Sequence, residues 1–227
     1  MYSLTFYKGS DSGVNTYEDW HLVPSSRPVV NPPSPKLISL DIPGANGSID
    51  MTEVINDFVT YSDRSGSWEF IVLNDRTPAI SWFDLYSNIL NYLHGQRVKV
   101  YLNEEPDYYY EGRCRINSWQ SNPDYSKIVI DYNLFPFKME ASLTTLDVTP
   151  SSSGVQLSIN SNSMPVVPTF VVPSGVTDIK VVFKGHEYEL PSGSSKNPDI
   201  VLEEGTNILT FKGSENQVQV TFRGGKL

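Results

Sequence analysis

The feature that most constrains this chain is a repeated two-residue alternation of apolar and polar side chains, in short runs closed by Gly, Pro, Ser and Asn. Val98, Val100 and Leu102 alternate with Lys99 and Tyr101. The same pattern recurs at Val155, Leu157 and Ile159, at Ile179, Val181 and Phe183, and at Val218, Val220 and Phe222. A period of two puts successive side chains on opposite faces of a strand, so one face of each run can be buried. Short runs separated by turn residues predict antiparallel β layers. The strands Leu37 to Ile42, Trp68 to Leu73, Thr169 to Val172, Glu187 to Leu190 and Ile208 to Phe211 complete the series. Arg113 to Trp119 and Lys127 to Tyr132 flank the turn cluster Ser121-Asn122-Pro123-Asp124 and predict a hairpin.

One stretch breaks the period. From Trp82 to His94 the apolar spacing is helical, with Trp82, Tyr86, Ile89 and Leu93 on one face and Phe83, Leu85 and Leu90 widening it. Ser81 is placed as N-cap with Asp84 three residues on, and Gly95 is placed as the stop. A second, shorter helical turn is expected at Thr52 to Phe58. The fold class is therefore mainly β: an N-terminal β-sandwich carrying one α-helix, then a C-terminal antiparallel β-sandwich. The composition shift falls near Glu140, and the Ser-, Thr- and Pro-rich stretch Thr144 to Gly154 reads as a linker or domain edge. Domains are expected at 1–140 and 141–227. Arg27 to Pro35 carries four prolines, so it is extended and excluded from a central strand.

Chemistry is sparse. The net charge is −9 and the chain has no Lys/Arg run, which argues against nucleic-acid binding. One cysteine, Cys114, permits no internal disulfide and no cysteine-based metal site. It alternates with Arg113 and Arg115 and is expected to be core. No segment approaches ~18 consecutive apolar residues, so no membrane insertion is expected, and Met1 to Phe6 lacks the basic-then-apolar order of a secretion signal. His21, His94 and His186 stand apart from any nucleophile motif. Asp41 to Asp50 has the wrong residues at positions three and five for a calcium loop. Gly44 to Gly47 lacks the Lys-Ser or Lys-Thr of a phosphate loop. Glu104, Glu105 and Asp107 read as an exposed acidic turn rather than a catalytic pair. The expectation is a non-enzyme with no catalytic residue, metal or cofactor. Aromatics reach 12%, including 13 Tyr, the side chain that serves interfaces and strands alike.

Several pieces in order resemble a known family. They are Tyr17-Glu18-Asp19-Trp20 leading to Arg27-Pro28, then Ile42-Pro43-Gly44-Ala45-Asn46-Gly47-Ser48-Ile49-Asp50, Tyr61, Arg64 and Trp68-Glu69-Phe70. His94-Gly95-Gln96-Arg97, Tyr108 to Arg113, Trp119, Gly205 to Leu209 and Val218 to Leu227 follow. This order resembles the distal tail protein (Dit), or phage tail component, family of bacteriophages with long non-contractile tails. The resemblance implies a homo-hexameric ring at the end of the tail, built by the N-terminal domain, with a galectin-like C-terminal domain projecting outward. It implies a virion component at the tail tip, made in the bacterial host cytoplasm. Its partners would be the major tail tube protein, the tail-tip (tail-associated) protein and, in larger baseplates, a receptor-binding protein. An acidic ring bore would let DNA pass by like-charge repulsion. The second domain, near 80 residues, is small for a galectin-like fold and lacks the insertions with which some relatives bind sugar. A carbohydrate-binding adhesion module is the alternative. Ring or partner contacts are expected at Arg27, Pro28, Ile42, Pro43, Gly44, Gly47, Asp50, Tyr108, Tyr109 and Tyr110, with at least one of the three tyrosines exposed in the separate chain.

Overall fold

The structure is a computed structural model describing residues 1–55, 57–73, 81–122 and 124–227. It divides into two units, Met1–Lys138 and Met139–Leu227. The first holds β1 (Leu4–Tyr7), β2 (Val14–Asn15), β3 (Val23–Pro24), β4 (Ser39–Asp41), β5 (Ser48–Asp50) and β6 (Arg64–Leu73). After them come α1 (Trp82–Leu93), β7 (Arg97–Leu102), β8 (Tyr108–Ser121) and β9 (Tyr125–Leu134). β10 (Lys138–Glu140) runs across the division. The second unit holds β11 (Thr144–Val148), β12 (Val155–Ser161), β13 (Thr169–Val172), β14 (Lys180–Phe183) and β15 (His186–Glu189). It ends with β16 (Gly193–Lys196), β17 (Gly205–Lys212), β18 (Val218–Phe222) and β19 (Gly225–Lys226).

In the first unit the strands pair antiparallel in the order β2-β1-β7-β8-β9-β6-β3. β1 and β6 are four places apart, which in a flat sheet is roughly 19 Å. Yet Phe6 of β1 and Trp68 of β6 meet edge to face at 6.2 Å. The sheet therefore curls over its own core, and one continuous sheet makes both layers of a sandwich. A bulge at Asn117, where β8 slips one residue against β9, supplies local bend and twist. Gly112 is required at the same pairing. A Cβ there would meet the Asn133 carbonyl oxygen and the Leu134 Cα, both backbone atoms that cannot swing away.

The helix forms where the spacing predicts. Ser81 Oγ accepts from the Asp84 N–H at 3.2 Å and donates to the Asp84 carboxylate at 2.6 Å. Gly95, at φ 72°, carries the chain out of the last turn. The buried stripe is Leu85, Ile89 and Leu93, each worth roughly 1.5–3 kcal/mol of burial. Phe83 lies outside the stripe and is exposed, contrary to the wider face read from the sequence. Tyr92 docks the helix on β1, its hydroxyl within 2.9 Å of Phe6 O and of Asp11 Oδ2. His94 Nδ1 accepts from the Ile116 N–H, which ties the helix end to β8. The 52–58 stretch forms turns at 52–55 instead of a helix, with Asn56 outside the described residues. Pro123 of the β8–β9 turn also lies outside them.

The second unit is built on two four-stranded antiparallel sheets, β11-β18-β13-β16 and β12-β17-β14-β15, with β19 outside both. Phe170, Val172, Val218 and Val220 of one sheet share a core with Ile159, Val181, Leu209 and Phe211 of the other. Phe170 and Phe211 meet across it at 6.1 Å. Lys184 and Gly185, with φ of 48° and 83°, make the tight β14–β15 turn, whose twist suits the flanking strands. Thr144 to Val148, the start of the stretch that reads as a linker or domain edge, is the edge strand β11, paired to β18 along its whole length. Thr145 and Asp147 face out, while Leu146 and Val148 pack on the core.

Candidate functional site

Residues 37–50 are exposed without interruption. β4 and β5 pair only with each other, through Ser39↔Asp50, Leu40↔Ile49 and Asp41↔Ser48. The Pro43 to Gly47 turn needs positive φ at Gly44 (82°) and Gly47 (78°), and Ala45 N–H donates to Ile42 O. Alternation makes the hairpin two-faced. Ile38, Leu40, Ile42 and Ile49 take one side, and Ser39, Asp41, Ser48 and Asp50 the other. The apolar side is bare: Ile38 is 47% exposed, Leu40 53%, Ile42 43% and Ile49 49%. A lone two-stranded ribbon is at best marginally stable in water, so contiguous bare apolar side chains on one mark a surface to be covered. Thr52, through its hydroxyl and its N–H, holds Asp50 below the usual carboxylate range.

The hairpin stands on a strap. Pro28 is buried, and the extended stretch after it is fastened to β6 and β9. Trp68 Nε1 donates to Val29 O at 2.8 Å, Asn31 N to Tyr132 Oη at 2.9 Å, and Asn31 Nδ2 to Ser65 O at 2.9 Å. Buried Arg64 donates Nη1 to Asn31 O at 3.1 Å and Nε to Pro136 O at 2.6 Å, with its guanidinium over the Tyr110 ring. The Pro35↔Tyr61 bridge and the Lys36 N–H to Thr60 O bond close the base from which the hairpin leaves.

The residues singled out from the sequence thus fall into two groups. Ile42, Pro43, Gly44, Gly47 and Asp50 share the projecting hairpin. Arg27 and Pro28 sit by the β7–β8 turn, where Arg27 pairs with Glu104 at 2.8 Å and Pro28 lies beside Leu102 and Asn103. Tyr108 is at that turn as well, under Lys138, whose ammonium pairs with Glu105 at 2.6 Å. Tyr109 and Tyr110 are buried, so none of the three tyrosines is exposed. Lys99 covers the Tyr109 ring and Tyr101 packs beside it. Sequence reading places a contact surface in the Ile42 to Asp50 loop and misses Leu37, Ile38 and Leu40 as surface. Their only signal is an apolar run caught between a Pro-rich segment and a Gly-rich turn.

Opposite the core, the β8–β9–β6 portion of the sheet carries an open groove of about 580 Å³. Ser65, Gly66 and Ser67 line one side, and Arg113, Arg115, Asp131 and Asn133 the other. Cross-strand pairs lace this face: Arg115–Asp131 at 2.9 Å, Arg97–Glu111 at 2.9 Å and Lys127–Glu69 at 3.0 Å. Cys114 beneath it is buried, which pushes its thiol up to about 12. Among the described residues no group of three or more His, Cys, Asp or Glu could hold a metal, and no helix is long and apolar enough to cross a membrane. In the second unit Phe170, Phe183, Phe211 and Phe222 are buried, leaving only Tyr188 partly open, a poor stacking platform for sugar.

No family model matches the sequence, and no curated protein does. Among solved structures, the chain is similar to Dit (gp 19.1) of phage SPP1, described as a paradigm of the hub adsorption apparatus in phages that infect Gram-positive bacteria. The match has a TM-score of 0.62 at 15% identity and covers 98% of this chain and 99% of that one. At that identity the likeness speaks for fold, and it takes in both units: this is a mainly antiparallel β chain with a Dit-like fold.

Proposed function

We propose that the chain is a structural hub protein of a phage tail. It acts by presenting shaped surfaces to neighbouring subunits rather than by chemistry. The observation that carries this reading is the end-to-end fold correspondence with SPP1 Dit, in which neither chain has a large part left over. The bare apolar hairpin supports it, because a chain that works alone gains nothing from such an arm. In this reading six copies close a ring through the first unit. The ring joins the tail tube to the tail-tip protein, and the second unit stands outward where larger baseplates attach their receptor-binding proteins.

The reading is tested on phage particles that carry this chain. Gold-labelled antibody against the chain is expected at the tail end distal to the capsid. Purified particles without the chain overturn the reading. Mass measurement of the assembly tests the copy number, with six expected.

A further inference from the structure

We propose that the free edge of β12 pairs with the β12 of a second copy, so that two four-stranded sheets of two second units run on into one. The proposal goes beyond the hub reading and does not depend on it. Three observations lead to it.

The first is an edge left open. β12 pairs only with β17, from Val155↔Phe211 to Ser161↔Gly205, and the register runs without a bulge. At 7 residues it is the longest strand that ends a sheet among the described residues. Alternate residues of such a strand aim their N–H and C=O groups outward with no ladder partner. Proteins blunt such edges with short strands, charge or proline. The other terminal strands are blunted in this way. β2 and β3 are two residues long, and β3 carries Pro24. β11 carries Asp147, β15 carries Glu187 and Glu189, and β16 ends at Lys196. β12 reads Val155-Gln156-Leu157-Ser158-Ile159-Asn160-Ser161 and holds neither charge nor proline.

The second is a core flank left unfinished. Ile159 is buried, but Val155 and Leu157 on the same face of β12 are only partly covered. Leu146 on β11, the strand that ends the other sheet, is in the same condition. One more strand beside β12 removes that remaining apolar surface from water.

The third is self-complementarity, which selects the occupant. Laid antiparallel to its own copy about Ser158, β12 sets Leu157 opposite Ile159, Gln156 opposite Asn160, and Ser158 opposite itself. Directly opposed residues share a face. On the core side, leucine therefore meets isoleucine twice. On the outer side, where Gln156, Ser158 and Asn160 are exposed, amide meets amide twice. A slip of one residue would set Gln156 against Ile159 and lose both matches. The paired edges exchange about six to eight ladder bonds, according to which alternate set points outward. The contact is two-fold and uses up both edges, so it joins two copies and stops.

The test follows mass in solution against concentration for the full-length chain and three variants. Gln156→Lys/Asn160→Lys sets lysine opposite lysine at both amide pairs, and Gln156→Glu/Asn160→Glu sets carboxylate opposite carboxylate. Gln156→Lys/Asn160→Glu sets each lysine opposite a carboxylate of the other copy. All these side chains are exposed, and thermal unfolding of each variant confirms that the fold is kept. Wild type is expected to double in mass as concentration rises, from one chain to two or, where rings form, from one ring to two. Each like-charge variant alone is expected to pair roughly tenfold or more weakly. Mixed together they are expected to regain pairing, and the Lys/Glu variant is expected to pair by itself. A wild type that shows no doubling at any concentration reached overturns the proposal, even if the edge captures a strand of another protein. Doubling that survives in both like-charge variants puts the contact elsewhere and overturns it too. Loss in both, with no recovery in the mixture or in the Lys/Glu variant, rejects the antiparallel register and the proposal with it. Gold labelling of the tail end decides the hub reading separately, so either can fail alone.

Discussion

Residues 37–50 and 205–222 are written in the same alphabet, alternating apolar and polar side chains around a Gly-containing turn, and they end in opposite environments. In β17 and β18, Leu209, Phe211, Val218 and Val220 are fully buried because a second sheet lies across from each. In β4 and β5, Leu40 and Ile49 have no layer above them. Period two states which side of a strand is apolar. It does not state whether the covering layer belongs to the same chain. That information sits in topology: 205–222 has neighbours on both sides in its sheets, while 39–50 has only itself.

Matched substitutions break or sharpen this contrast. The largest effect is expected from Phe211→Ala, about 3–5 kcal/mol in denaturant unfolding, since the ring fills the centre of the second sandwich. A change below roughly 1 kcal/mol would mean the two sheets are not held by this core. Next, Leu85→Ala on the helix is expected to cost about 2–5 kcal/mol, whereas Phe83→Ala, two residues away and exposed, stays within about 0.5 kcal/mol. Equal losses at the two positions would refute the assigned stripe. Gly112→Ala is expected to cost about 1–3 kcal/mol through forced backbone movement, read as a lower melting temperature.

The buried thiol gives a pH-dependent effect. Cys114 ionises near 9 when unfolded and at about 12 in the fold. Between those values the unfolded chain has lost the proton and the folded chain keeps it, so stability falls as pH rises above 9. The slope is at most about 1.4 kcal/mol per pH unit, and Cys114→Ala removes that part of it. Below pH 9 the thiol should resist alkylation until the chain is unfolded; rapid labelling of the native protein counts against its burial. The smallest effect belongs to the hairpin. Leu40→Ser should change the stability of the separate chain by no more than about 0.5 kcal/mol. A loss comparable to that of Leu85→Ala would place Leu40 in a core.

The helix from Trp82 to Leu93, its Ser81 cap and the β8–β9 hairpin were legible because each depends on neighbours in sequence. What failed to read depends on distant ones. Thr144 to Val148 reads as part of a linker or domain edge because only β18 makes it a strand. Tyr109 looked available because nothing local announces that Lys99 and Tyr101 cover it. Phe83 looked like core because a helical wheel gives direction and not the extent of the sheet beneath. The 42–50 segment was picked out as a contact candidate. Its strands are neighbours in sequence, whereas the Arg113–Arg115 groove appears only once β6 is laid beside β9, far along the chain.

Arg64 sets a property of the strap that no ion pair could supply. Its two acceptors are peptide carbonyls, of Asn31 and Pro136, and neither has a proton to gain. A guanidinium in turn keeps its own proton throughout any range a protein meets. The clasp at Arg64 has no carboxylate partner among the described residues. The direction in which the hairpin leaves the first unit is thus set by a contact that is indifferent to acidity.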